Sequence, residues 1–132
     1  MPTTSTVVNL VRISVLLIPL VVTIACGSSS GSQLSAAAAA GRTVTIKRGC
    51  ASCHGADGSG GVGPKFVGLY GSQVPLADGS TVVADEDYLR RSIRDPGAQR
   101  VEGYAVNMPA NDLDDDDIEA VLAYIRELGP TP

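Results

Sequence analysis

The stretch Gly49-Cys50-Ala51-Ser52-Cys53-His54-Gly55 decides how the rest of the chain is read. Cys-x-x-Cys-His is the attachment signature of c-type haem. Two thiols three positions apart stand about one helical turn apart, so both reach the vinyl groups on one porphyrin edge and form thioethers. The His that follows sets an imidazole under the iron as its proximal ligand. Other chemistries for such a pair fit less well. A thioredoxin-like redox pair belongs beside a βαβ pattern, which the surrounding sequence lacks. A structural zinc site takes four ligands, yet there is no second Cys pair, and His54 is the only His in the chain. Cys50, Cys53 and His54 are therefore the candidate attachment and iron-ligating residues for one covalent haem c.

Upstream, the composition changes. Arg12 is the only charged side chain before position 42. Ile13 to Ala25 is apolar apart from Ser14, Pro19 and Thr23. That is short of the roughly 20 residues a membrane span needs and suits a signal-peptide core. It leads through Thr23-Ile24-Ala25 to Cys26, which resembles a bacterial lipoprotein signal in which the Cys becomes the lipidated first residue. Cysteine arithmetic agrees: of three Cys, haem attachment uses two, and the odd one in an exported chain needs an account. Lipidation of Cys26 supplies it, with a free thiol or an uncleaved anchor from about Val7 to Ala25 as the other readings. A lipoprotein Cys carries several acyl chains, enough for stable anchoring. Residues 1–25 are thus read as a signal peptide of the lipoprotein type, and 26–40 as a flexible tether, in which the alanine run Ala36 to Ala40 is either tether or the start of a helix. Residues 41–129 are read as the folded domain, lipid-anchored on the extracytoplasmic face of the bacterial membrane.

The domain is acidic. The chain carries ten Lys and Arg against fourteen Asp and Glu, which argues against nucleic acid as a partner. It is also poor in aromatic mass, with one Phe, four Tyr and no Trp. A porphyrin held by two thioethers would supply the missing apolar plate to a core of marginal size.

Along the domain, Gly41 to Gly49 reads as a helix ending in Lys47 and Arg48. Gly55 to Gly63, with five Gly in nine residues, reads as a loop. Val74 to Ala84, split by Asp78-Gly79, predicts a small β-hairpin, expected as a surface excursion. Asp85 caps a helix from Glu86 to about Arg94, stopped by Asp95-Pro96. Its arginines, Arg90, Arg91 and Arg94, form either a solvated face or a patch near haem propionates or a partner. Asp114 caps the last helix, with Asp117 three residues on and Leu113 and Ile118 as a hydrophobic staple. Ile118, Val121, Leu122 and Ile125 follow helical spacing, and Gly129-Pro130 ends it. The acidic run Asp114 to Asp117 suits a helix N-terminus.

Haem iron has a second axial position, and His54 is spent. Met1 leaves with the signal peptide, so Met108, in an irregular stretch before Pro109, is the candidate sixth ligand. His/Met coordination raises the reduction potential.

Taken in order, Gly49 to Gly55, Gly63-Pro64, Met108-Pro109 and the amphipathic last helix resemble a class I cytochrome c. Further matches narrow the resemblance: Leu69-Tyr70-Gly71-Ser72, Leu76 to Gly79, Ala84 to Arg90, Ser92-Ile93 and Gly103-Tyr104. These resemble the cytochrome c domain fused to subunit II of bacterial haem–copper oxidases. The resemblance implies an all-α class I cytochrome c fold with one small β-hairpin excursion, in which the first and last helices cross and clamp the haem. It also implies that the Pro64 carbonyl accepts a bond from the ring of His54. The oxidase subunit needs a β-sandwich and a copper site with two Cys and two His, which this chain cannot supply. The expectation is therefore the cytochrome domain alone, on a lipid tether.

Iron held on both faces offers no open position for a small-molecule substrate, so the expected role is one-electron transfer rather than enzymatic catalysis. The expected partners are a quinol-oxidising complex or dehydrogenase as donor and a terminal oxidase as acceptor. The alternatives are an integral cytochrome subunit of a larger membrane complex, or a ligand-binding or peroxidase-like haem protein with a displaceable Met108.

Overall fold

Four helices and one two-stranded hairpin frame a cavity. The computed structural model describes Met1 and residues 33–129. Cys26, the segment read as signal peptide and the first part of the tether lie outside the described residues. In chain order the elements are α1 (Ala36–Lys47), α2 (Ala51–His54), β1 (Gln73–Pro75), β2 (Thr81–Val83), α3 (Glu86–Arg94) and α4 (Asp115–Glu127). The fold is mainly helical with one antiparallel pair, as expected of a class I cytochrome c. Among the described residues no helix is long and apolar enough to cross a membrane.

α1 begins earlier than the sequence suggested. Of the two readings of the alanine run, the structure has the helix: Ala36 to Ala40 are helical and Ala38 is fully buried. Alanine is the best helix former, and Ser35 caps the run, its hydroxyl accepting from Ala38 N at 3.2 Å. The two threonines among the β-branched residues that follow place their hydroxyls on carbonyls of the preceding turn. Thr43 Oγ1 donates to Ala39 O at 2.9 Å and the buried Thr45 Oγ1 to Arg42 O at 2.8 Å.

α1 and α4 cross in opposite directions, tied at both ends. At one end, Ser35 donates from N to Glu127 Oε2 at 2.8 Å and from its hydroxyl to the other carboxylate oxygen. At the other, Arg48 pairs with Asp117 at 2.7 Å and with Asp112 at 3.6 Å. Between them the backbones touch. A Cβ on Gly41 would fall 1.9 Å from Ala120 O and 2.9 Å from Tyr124 Cβ, so only a residue without a side chain permits the crossing.

α4 carries the periodic face the sequence announced: Ile118, Val121, Leu122 and Ile125 are buried, with Tyr124 beside them. Asp114 caps it, accepting from Asp117 N at 2.8 Å, while Asp117 turns to Arg48. α3 is capped by Asp85, which accepts from Tyr88 N at 2.8 Å. Its arginines join it to the neighbouring helix: Arg90 pairs with Glu86 at 2.9 Å and with Glu119, and Arg94 pairs with Asp115. Each exposed pair is weak by itself, being screened by solvent. Their collective effect is to pin α3 against α4.

The hairpin is not an excursion. Val74 and Leu76 are buried in the core, and Leu76 bridges to Val101. Its short strands alternate so that one side chain per strand turns inward, and Gly79, at φ +85°, makes the turn.

Two measurements check this frame. Gly41→Ala should lower the thermal midpoint by an amount equivalent to about 1–3 kcal/mol. Helix propensity alone would raise it, by up to about 1 kcal/mol. Gly129→Ala, which meets no atom within 4 Å, should leave the midpoint within about 0.5 kcal/mol. A Gly41→Ala protein as stable as the parent would mean the helices do not touch here. The Glu127 carboxyl is held below the usual glutamate range by its bonds from Ser35. Its folded value is the lower one, so its stabilisation is complete above the unfolded value and lost as pH falls through the folded one. As pH falls through the carboxylate range the parent should therefore lose more of its midpoint than Glu127→Gln does.

Candidate haem-binding site

The elements enclose a cavity of about 360 Å³, within the roughly 300–1,000 Å³ usual for cofactor sites. Its floor is apolar: Phe66, Val74, Leu89, Ile93, Val121 and Ile125 all border it and all are buried. Cys50, His54, Pro64 and Met108 stand on its walls. Residues 54 positions apart in sequence, His54 and Met108, therefore face one volume. Cys53 is half-buried but is not a lining residue. It lies one turn along α2, its Cβ 3.4 Å from the point a Cβ on Gly63 would occupy.

His54 is fixed on several sides. Nδ1 lies 2.7 Å from the Pro64 carbonyl oxygen. A carbonyl only accepts, so Nδ1 carries the proton and Nε2 keeps its lone pair. Burial pushes the imidazole below the usual histidine range, against the opposing pull of the Pro64 bond. The ring is therefore neutral near pH 7, the form that binds metal. Phe66 stacks on it, centroids 4.5 Å apart and planes 17° from parallel. Gly63 lets the loop lie against it, since a Cβ there would meet His54 Cε1 at 3.1 Å and Nδ1 at 3.3 Å. The loop is held in turn by Gly63 N donating to Cys53 O at 3.0 Å and Gly60 N to His54 O at 2.8 Å.

The donor set fits a haem and fits other groups poorly. Among the described residues no three His, Cys, Asp or Glu side chains gather where they could hold a bare metal ion. Burial pushes the Cys50 thiol up, the opposite of the activated thiolate a redox dithiol requires. Ser92 Oγ and Gln99 Oε1 border the cavity, buried and without hydrogen-bond partners among the described residues. Such atoms cost about 1–3 kcal/mol each if left so. An apolar floor, a pair of thiols beside it, an imidazole and a thioether on its walls, and a Ser92 hydroxyl able to donate to a carboxylate match a porphyrin with carboxylate-bearing edges.

Of the residues the sequence singled out, Cys50, His54, Pro64 and Met108 line the cavity and Cys53 does not. Sequence reasoning missed Phe66 as the support of the His54 ring, although a lone Phe two residues beyond Gly63-Pro64 was a signal. Ser92 and Gln99 carried no signal. The arginines of α3 bond to acids rather than forming a free patch, Arg91 excepted.

A mainly helical fold built round one such cavity defines a c-type cytochrome. The sequence model of the family described as Cytochrome c matches residues 38–129, and the chain belongs to that family. Its members carry covalently attached haem c and transfer electrons, and Cys50 and Cys53 fit its attachment motif. The chain is also 29 % identical over 96 residues to Cytochrome c2 of Rhodoplanes tepidamans, covering 60 % of this chain and 90 % of that one.

Replacing Phe66 by Ala removes the stacked ring and a buried side chain. The variant should lose about 3–5 kcal/mol of stability in denaturant titrations. Exchange of the His54 Nδ1 proton should also be faster by NMR. Unchanged exchange would mean that the Pro64 bond alone holds the imidazole.

Proposed function

We propose that this chain is a membrane-tethered mono-haem electron carrier in which His54 and Met108 would hold the iron. It would pass single electrons from a quinol-oxidising complex or dehydrogenase to a terminal oxidase. The observation that carries the reading is the presence of His54 and Met108 on the walls of one cavity. When bound, the haem supplies a one-electron iron(III)/iron(II) couple. The chain's own residues do the rest. Cys50 and Cys53 hold the group covalently. The Pro64 carbonyl keeps the His54 proton on Nδ1 and so presents Nε2. Phe66 and Gly63 stop the ring from turning. Met108 presents a soft sulfur, which favours the reduced metal. The buried side chains of the cavity keep water out and favour the less charged oxidation state.

The apolar leader ending at Cys26 supports a lipid tether. Such a tether confines the carrier to a shell near the membrane and raises its effective concentration for membrane-bound donors and acceptors.

Two variants test the proposal. Met108→Ala should let the ferrous protein bind carbon monoxide and the ferric protein bind cyanide, while the parent binds neither readily. Its reduction potential should fall. A variant with parental spectra and no ligand binding would remove Met108 from the iron. Cys26→Ser should release the protein from membranes or leave its precursor uncleaved. Normal processing with normal membrane retention would refute lipidation.

A further inference from the structure

Met108 sits on an arm with no regular structure of its own. Among the described residues, no backbone-to-backbone hydrogen bond begins or ends between Gly103 and Leu113. Bonds hold the arm only at its two ends. Upstream, residues 100–102 lie along the hairpin: Ala77 N donates to Arg100 O at 2.8 Å, Glu102 N donates to Pro75 O at 2.9 Å, and Leu76 bridges to Val101. Gly103, at φ +83°, then turns the chain away. Downstream, the hold is a single side chain. Asn111 Nδ2 donates to Ile93 O at 2.7 Å.

That bond is matched to its partners. Ile93 stands in the last turn of α3, where a helix carbonyl has no partner in its own ladder. Among the described residues no backbone N–H donates to Ile93 O. Ile93 is also one of the buried residues of the cavity floor, so the bond joins the Met108 arm directly to that floor. On the other side of the same carboxamide, Oδ1 accepts from Leu113 N at 3.3 Å. A carbonyl only accepts and an N–H only donates, so the two bonds together need an amide at this position. A carboxylate keeps the second bond and turns the first into a repulsion between two oxygens.

We propose that Asn111 is a positioning residue for Met108, its bond to Ile93 O setting how often the arm lifts the thioether off the iron. The role rests on Met108 being an iron ligand, as proposed above. Local opening of this kind is governed by the few bonds broken in it. Cyanide reaches ferric iron only while the thioether is away, so its binding rate, followed in the spectrum of the ferric holoprotein, reads the frequency of opening. Asn111→Asp and Asn111→Ala should each bind cyanide about tenfold faster than the parent, the effect of one hydrogen bond that only the closed arm makes. Asp85→Ala removes the cap at the far end of the same helix. It costs a comparable amount of stability but breaks nothing on the arm, and its rate should stay within about twofold of the parent. Parental rates in both Asn111 variants, or equal acceleration by Asp85→Ala, overturn the role of Asn111. A parent as open to cyanide as Met108→Ala overturns the ligand reading, and the role of Asn111 with it.

Discussion

The close approach of α1 and α4 at Gly41 is the constraint on which the rest of the structure depends. Ala120 O leaves no room for a side chain there, and that contact sets how near the two helices lie. From it the positions of the functional groups follow. The end of α1 delivers the chain into Cys50 and α2. The opposite face of α4 turns Val121 and Ile125 toward the cavity. The polar ties at either end, Ser35 to Glu127 and Arg48 to Asp117, hold the angle but lie in solvent. They contribute less than the buried contact between them.

Within that frame the chemistry narrows to one imidazole. His54 has its proton fixed by Pro64, its face covered by Phe66 and its flank closed by Gly63. These contacts all come from the segment that follows His54, residues 55–66. The loop's glycines let the backbone fold back on α2, and the carbonyls of Cys53 and His54 accept from it. A ligand with its rotation and tautomer fixed needs little rearrangement when the metal changes charge, which is what a carrier of single electrons requires. The family to which the chain belongs has that role.

Much of this was legible in the sequence. The attachment motif, the helix caps Asp85 and Asp114 and the spacing of Ile118, Val121, Leu122 and Ile125 are local signals. Local chemistry decides them, and the structure contains those elements. The all-α class with a small hairpin was legible for the same reason. What the sequence concealed depends on contacts between distant segments. Gly41 reads only as the first residue of a helix until Ala120 is seen against it. Ala36 to Ala40 could be tether or helix by composition, and the Ser35 cap with the burial of Ala38 decides for helix. Val74 and Leu76 seem ordinary hairpin residues until Val101 closes over them. Phe66 acquires a role only because the loop brings it back to His54.

The central claim is that His54 and Met108 meet the same iron, and the most direct test watches Met108 itself. In the reduced, diamagnetic holoprotein, a methionine methyl held over a porphyrin lies in its ring current. With the methionine methyls isotopically labelled, the account predicts a Met108 resonance shifted far upfield of any ordinary side-chain methyl. A Met108 methyl at an ordinary position in a folded, haem-loaded protein would contradict it.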